Sequence, residues 1–340
     1  MRHFHLSFYL TLFCVVVAFL FGGIQAVILA LVLGVLEVSL SFDNAVVNAS
    51  VLKRMTPLWQ HRFLTWGIVV AVFGMRLLFP ILIVAFATDL SLLSVTAMAL
   101  NEPELYSKHL HDAHPFIASF GGTFLLLVAF SFLFDDARDI YWLGRLEQKI
   151  QAIGKVDAVA TTLALLFLLV TYELVESIDQ KDVLFGGVLG IFLYGVVSSL
   201  DRFFQIESEE EAVSSGDIIK KGGMMAFLYL ELLDASFSFD GVIGAFAITR
   251  DIVIIMLGLG IGAMFVRSLT VFLVNQGTLD EYVFLEHGAH YAIGILAIIM
   301  LITTHTPIPE TFTGLIGATL IILSLLSSIR YKQKNTVGLS

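Results

Sequence analysis

Apolar residues in this chain come in long uninterrupted stretches. They follow neither the three-to-four spacing of a water-facing helix nor the alternation of a half-covered strand. Ten such runs, at 4–22, 24–52, 63–88, 116–134, 158–178, 183–200, 224–249, 252–274, 288–304 and 312–329, fall near the roughly 17–25 residues a helix needs to cross a hydrocarbon core. The pattern predicts an all-α polytopic membrane protein with about ten transmembrane helices. The first two runs meet at Gly22 and Gly23, so the position of the turn between them is open. The charged start and apolar body of the first run resemble a signal peptide. Ile24-Gln25-Ala26 matches the small-x-small cleavage pattern poorly, so this segment is expected to be a retained helix.

Composition supports this class. The 340 residues are 58% hydrophobic and 14% charged, with mean hydropathy +0.91, against about 25% charged in a typical soluble chain. The net charge of −10 argues against a nucleic-acid partner. The single cysteine, Cys14, excludes an internal disulfide or a cysteine zinc site. Basic residues fall on alternate loops. Arg2, Lys53, Arg54, Arg62, Arg138, Arg145, Lys149, Lys155, Arg202, Lys220, Lys221, Arg330, Lys332 and Lys334 share one side, and only Lys108, Lys181 and Arg250 the other. The positive-inside rule then places both termini in the cytoplasm, and an ion carrier with such loops would sit in a bacterial inner membrane. The expected organisation is a first half at 1–201 containing a cytoplasmic linker at 135–157, an acidic connector at 202–223, a second half at 224–334 and a tail at 335–340. Membrane lipid is the expected surrounding partner, with a homo-oligomer also open.

A seven-residue phrase occurs twice inside these runs: Glu37-Val-Ser39-Leu-Ser41-Phe42-Asp43 and Asp234-Ala-Ser236-Phe-Ser238-Phe239-Asp240. Beyond each copy a helix carries an arginine nine residues after a glycine, Gly67 to Arg76 and Gly258 to Arg267. Helices two to four therefore match helices seven to nine. An offset of five crossings gives the halves opposite topology, an inverted repeat of the kind that places a site at the midplane. A carboxylate at the bilayer centre costs about 2.5–3.5 kcal/mol on insertion scales, so it faces a cavity, a partner or an ion.

The duplicated groups are almost all oxygen donors: Glu37, Asp43, Asn44, Glu231, Asp234 and Asp240, supported by Ser39, Ser41, Ser236 and Ser238. Such donors suit Mg²⁺, Ca²⁺ or Mn²⁺ better than copper or structural zinc. On a straight helix Glu37 and Asp43 diverge by about 240°, so convergence needs a bulge, which the Ser-x-Ser segments can provide. Arg76 and Arg267 are the expected counter-charges. The competing reading is that the acids pair with these arginines only to hold helices together. Two further groups are secondary candidates. His109, His111, Asp112 and His114 lie in a long outer loop that is either a metal-capturing site or solvated surface. Glu286, His287 and His290 open the ninth run as a gate ligand set or as a capped helix start.

The phrases Leu36-Glu37-Val-Ser-Leu-Ser-Phe-Asp43-Asn44 and Asp234-Ala-Ser-Phe-Ser-Phe-Asp240-Gly, with Glu286-His-Gly-Ala-His290, resemble the paired signatures of TerC-family integral membrane proteins. That resemblance covers helices two to four and seven to nine and places the chain beside the LysE-type transporters. It implies efflux of a divalent cation, most often manganese, with tellurium resistance as the historical label. Glu37, Asp43, Asn44, Asp234 and Asp240 are the metal-site residues it carries over. Gly241 departs from the family, which often has serine there. The cation, Mn²⁺ or alternatively Ca²⁺, enters as substrate, and no prosthetic group is expected. Other readings are export of an amino acid or small organic solute, and a membrane accessory that delivers metal or assembles in stress resistance. Enzyme activity is not expected, as His-Glu-x-x-His, Gly-x-Ser-x-Gly and phosphate-binding glycine loops are absent from the sequence.

Overall fold

Apolar runs of this length fold as helices because a helix satisfies its own backbone N–H and C=O groups where no water can. The computed structural model describes residues 4–53, 55–154, 158–210 and 218–337. Some side chains within its helices, Ser238 and Asp240 among them, lie outside the described set. Among the described residues every regular element is helical: α1 (His5–Leu40), α2 (Phe42–Lys53), α3 (Pro57–Val69), a π-helical stretch (Val70–Leu78), α4 (Phe79–Thr88), α5 (Leu92–Asn101), α6 (Pro103–Asp112), α7 (His114–Leu133), α8 (Arg145–Gly154), α9 (Val159–Leu174), α10 (Gln180–Glu210), α11 (Ile218–Ile248), α12 (Ile252–Asn275), α13 (Thr278–Glu281), α14 (Leu285–Thr303) and α15 (Glu310–Val337). Six of these, α1, α7, α10, α12, α14 and α15, contain segments long and apolar enough to cross a membrane, which marks a membrane protein. Counting α8 and α9, bent by 95°, as one span gives seven.

α1 is one helix in name only. On a straight rod Ser7 and Glu37 would stand about 45 Å apart at roughly 1.5 Å per residue. Yet Ser7 Oγ donates to the Met264 carbonyl at 2.9 Å, and Glu37 packs on Gly262, two positions away along α12. The chain must therefore double back, and the reversal is at Gly22 and Gly23, whose φ/ψ of −141°/20° and 65°/−155° are not helical. The first leg runs antiparallel to α12, with Phe4 against Phe265 and Phe272 and Phe8 against Phe265. The second leg runs parallel to it, with Ala30 and Leu33 at Gly258 and Glu37 at Gly262. Gly23 occupies a backbone region open essentially to glycine alone.

Other boundaries shift for local reasons. The run at 24–52 breaks at Ser41, whose N–H bonds back to the Glu37 carbonyl as a helix cap. The run at 63–88 starts earlier, at Pro57, since proline is well suited to a first helical turn, and it continues through the π-helical stretch that carries Arg76. The expected outer loop is instead two helices. Ser91 caps α5 by accepting from the Ser94 N–H, Pro103 opens α6, and Tyr106 and Leu110, one turn apart, are buried beneath it. Helices also extend into the expected connector, α10 as far as Glu210 and α11 from Ile218, while residues 211–217 lie outside the described set.

Two buried clusters hold the helices together. One gathers α2, α3, α7, α11 and α14 around Phe63, Phe124, Leu230 and Met300. The other packs the α1 hairpin, α4 to α6, α11 and α12 around Leu33, Tyr106, Val242 and Leu259.

Gly23→Ala is expected to lower stability by about 1–3 kcal/mol through its backbone region alone. Gly195→Ala, on α10 with open space at the Cβ position, is expected to be close to neutral. Thermal unfolding of the purified variants in detergent checks this, and an unchanged midpoint for Gly23→Ala would remove the hairpin turn.

Candidate functional site

Where the second leg of α1, the π-helical stretch, α11 and α12 meet, polar side chains replace the apolar core. Glu37, Asp43, Asn44, Arg76, Glu231, Asp234 and Arg267 are each at most 6% exposed. The Arg76 guanidinium donates from Nη2 to Glu37 Oε1 and from Nη1 to the Ala71 carbonyl. Arg267 Nη2 lies 3.0 and 3.2 Å from the two oxygens of Glu231, and its Nη1 donates to the Phe63 carbonyl at 2.8 Å. The Arg267 guanidinium also stacks 4.3 Å above the Phe63 ring. Asp234 lies between the pairs. Its Oδ2 is 3.7 Å from Arg76 and 4.0 Å from Arg267, while Oδ1 accepts from Asn44 Nδ2 at 3.1 Å.

Glycine makes this packing possible. A Cβ at Gly67 would collide with Arg267 and Glu231, one at Gly262 with Glu37, and one at Gly241 would lie 2.7 Å from Glu37 Oε2. The absent side chain at Gly241 thus leaves room for a Glu37 carboxylate oxygen.

Asp43 stands apart from the arginines. It stands in the first turn of α2 beyond the break at Ser41, and its Oδ1 accepts the Asn44 N–H at 2.9 Å. Among the described residues no cation pairs with it. It lines a cavity of about 40 Å³ together with Glu37, Ser41 and Gly241, and with Thr313 and Gly314 of α15. Ser41 Oγ donates to Glu37 Oε1 at 3.2 Å, which leaves Glu37 Oε2 as the oxygen facing Gly241. The break at Ser41 is what lets Glu37 and Asp43, divergent on a straight helix, reach one cavity. The second copy of the phrase has no such break, as α11 is continuous across it.

The other sequence candidates are placed as follows. Ser236 Oγ bonds back to the Leu232 carbonyl. Ser39 is exposed and bonds to the Val35 carbonyl, away from the cavity. The side chains of Ser238 and Asp240 lie outside the described set. His109 and His111 sit on α6, Asp112 ends it and His114 opens α7. Positions two apart on a helix point about 200° from each other, so His109 and His111 diverge. His111 Nδ1 is satisfied by the Ser107 carbonyl. Among the described residues no group of three or more His, Cys, Asp or Glu side chains is arranged to hold a metal. The paired carboxylates Glu37 and Asp43 are thus the described acids that share a cavity.

At the start of α14, His290 stacks on Phe132 with centroids 3.9 Å apart, and His287 Nε2 bonds the Ile140 carbonyl at 2.9 Å. Sequence reasoning missed the partner of this pair. Glu147 of α8 is fully buried, accepts the Trp142 and Leu143 N–H groups and the Tyr291 hydroxyl, and lies 3.6 Å from His287. A stretch rich in charge reads as solvated linker; only the fold shows that Glu147 points inward.

A family model described as protein of unknown function (DUF475) matches residues 42–335. The chain belongs to the DUF475 family. The matched span of this DUF475 protein begins one residue after the Ser41 break. It takes in Asp43, Asn44, Arg76, Glu231, Asp234, Asp240 and Arg267, and leaves Glu37 and the α1 hairpin before it. No curated protein matches the chain, and no solved structure matches it.

Removing one partner of a buried ion pair leaves an uncompensated charge, a loss of about 3–5 kcal/mol. Arg267→Ala is expected to destabilise the protein by that order, and Arg267→Met combined with Glu231→Gln to recover most of it. Denaturation of the two variants in detergent is the check; wild-type stability in Arg267→Ala would contradict the pairing.

Proposed function

We propose that this protein is a transporter that exports a hard divalent cation, manganese being the one that the resemblance to TerC proteins implies. The observation that carries the reading is Asp43: a buried carboxylate without a described counter-cation, on a cavity it shares with Glu37. Glu37, Glu231 and Asp234 outnumber Arg76 and Arg267, and Asp43 adds a fourth acid to the same interior. Negative charge in surplus inside lipid calls for a cation or a proton to balance it.

The donors fit this cargo. Asp43, Glu37, the Ser41 hydroxyl and Thr313 offer oxygen only, and Asp240 follows on α11 beside Gly241. Mg²⁺-like ions keep several waters and need only one or two protein carboxylates, so a sparse site suits a hard ion in transit. Asp43 and Glu37 take the ion in our reading, Arg76 holds Glu37 in position, and Asn44 ties the site to Asp234 on the other half of the chain. Cation loading would displace protons from acids left without partners, which gives coupled exchange a physical route. The reading includes ten crossings in two inverted halves, cytoplasmic termini and a bacterial inner membrane. Export of an amino acid or small organic solute fits less well, since the buried Arg76 and Arg267, which would meet a solute carboxylate, already bind carboxylates of the protein.

Flux into proteoliposomes is the test, with Mn²⁺, Ca²⁺ and Mg²⁺ compared for wild type, Asp43→Asn and Asp240→Asn. Saturable uptake of one cation that is lost in Asp43→Asn is the expected result. No cation flux from folded wild-type protein would overturn the transporter reading.

A further inference from the structure

The helix α8 wears its polarity inside out. Glu147 and Gln151, one turn apart, are buried against the end of the bundle, where Gln151 Nε2 donates to the Asp135 carbonyl and its Oε1 accepts from Tyr141. Its apolar residues point the other way: Leu146 is 56% and Ile153 54% exposed, and Leu143 just before the helix is 50% exposed. A helix washed by water would show the reverse arrangement.

We infer that α8 lies in the membrane–water interface, with its apolar face set into lipid and its basic edge against anionic headgroups. Three observations point to lipid as the occupant of this face. Arg145 and Lys149, at i and i+4, are exposed on the edge adjoining Leu146 and Ile153, the arrangement of a helix that rests on an anionic surface. The axis of α8 stands at 95° to α9, so if α9 runs through the bilayer α8 lies in its plane. Aromatic side chains of the kind enriched at the membrane interface also gather here, with Trp142 stacked on Tyr291 and Tyr331 against Phe284. The buried Glu147, held by two backbone N–H groups and the Tyr291 hydroxyl, anchors the helix in that orientation.

Spin labels at Leu146→Cys, Ile153→Cys and Gln148→Cys in the full chain, with Cys14→Ser removing the native thiol, test this in vesicles containing phosphatidylglycerol. All three positions are exposed, so the label enters open space. Oxygen should dominate relaxation at 146 and 153, and a water-soluble nickel chelate at 148, about 200° away around the helix from 146. Arg145→Glu with Lys149→Glu should move the 146 label toward water in these vesicles but not in neutral phosphatidylcholine. Nickel access at 146 and 153 equal to that at 148 would overturn the proposal. Dipolar broadening at 146 that disappears on dilution with unlabelled protein would assign the face to a second copy and overturn it equally.

Discussion

Arg76 lies between carboxylates from the two halves of the chain, Glu37 before it and Asp234 after it, and Arg267 lies beside Glu231 and Asp234, both from the second half. Charges so thoroughly removed from water are tolerable only in such company, because the cost of stripping an ion of its hydration is several kcal/mol even after relaxation. Much of the surrounding architecture follows from this constraint. Glycines at 67, 241 and 262 let the helices close around the charged groups. The second leg of α1 runs beside α12 and brings Glu37 to Arg76, while the reversal at Gly22 and Gly23 lets the first leg pack on the same helix. Asn44 extends the network from α2 to Asp234.

The two copies of the acidic phrase are similar in sequence and unlike in backbone. Ser41 ends a helix, whereas α11 continues through the second copy. Arg76 stands in a π-helical stretch and Arg267 in an ordinary α-helix. π-Helical turns recur at functional sites because they re-aim side chains. Both irregularities are in the first copy: the Ser41 break separates Glu37 from Asp43, and the π-helical stretch carries Arg76, which bonds Glu37. The cavity lies beside the first phrase, and α14 and α15, which carry no copy of the seven-residue phrase, complete its lining.

Helical class and membrane character were legible from hydrophobic run length alone, since few folds other than helices tolerate such stretches. The acids and arginines were legible too, because charge is conspicuous inside an apolar run. Which acid would pair with which arginine was not, as that depends on how the helices dock: Glu37 meets Arg76 from 39 residues away and Glu231 meets Arg267 from 36, while Asn44 bonds Asp234 across 190. The break at Ser41 was open to anticipation from the Ser-x-Ser spacing, but the same spacing in the second copy leaves α11 intact. α5 was hidden by its shortness, α6 by its polar composition, and Glu147 by its surroundings: a glutamate beside Arg145 and Lys149 reads as surface until its backbone donors are seen. Thr313 and Gly314 carried no signal, since their place in the cavity comes from the docking of α15.

A surplus of buried acid over buried arginine is the centre of this account, and titration of Mn²⁺ into purified protein by calorimetry tests it most directly. Saturable binding that Asp43→Asn abolishes while the unfolding midpoint stays near that of wild type is the predicted result. Folded wild-type protein that takes up no Mn²⁺, Ca²⁺ or Mg²⁺, or an Asp43→Asn variant that binds as wild type does, would contradict it.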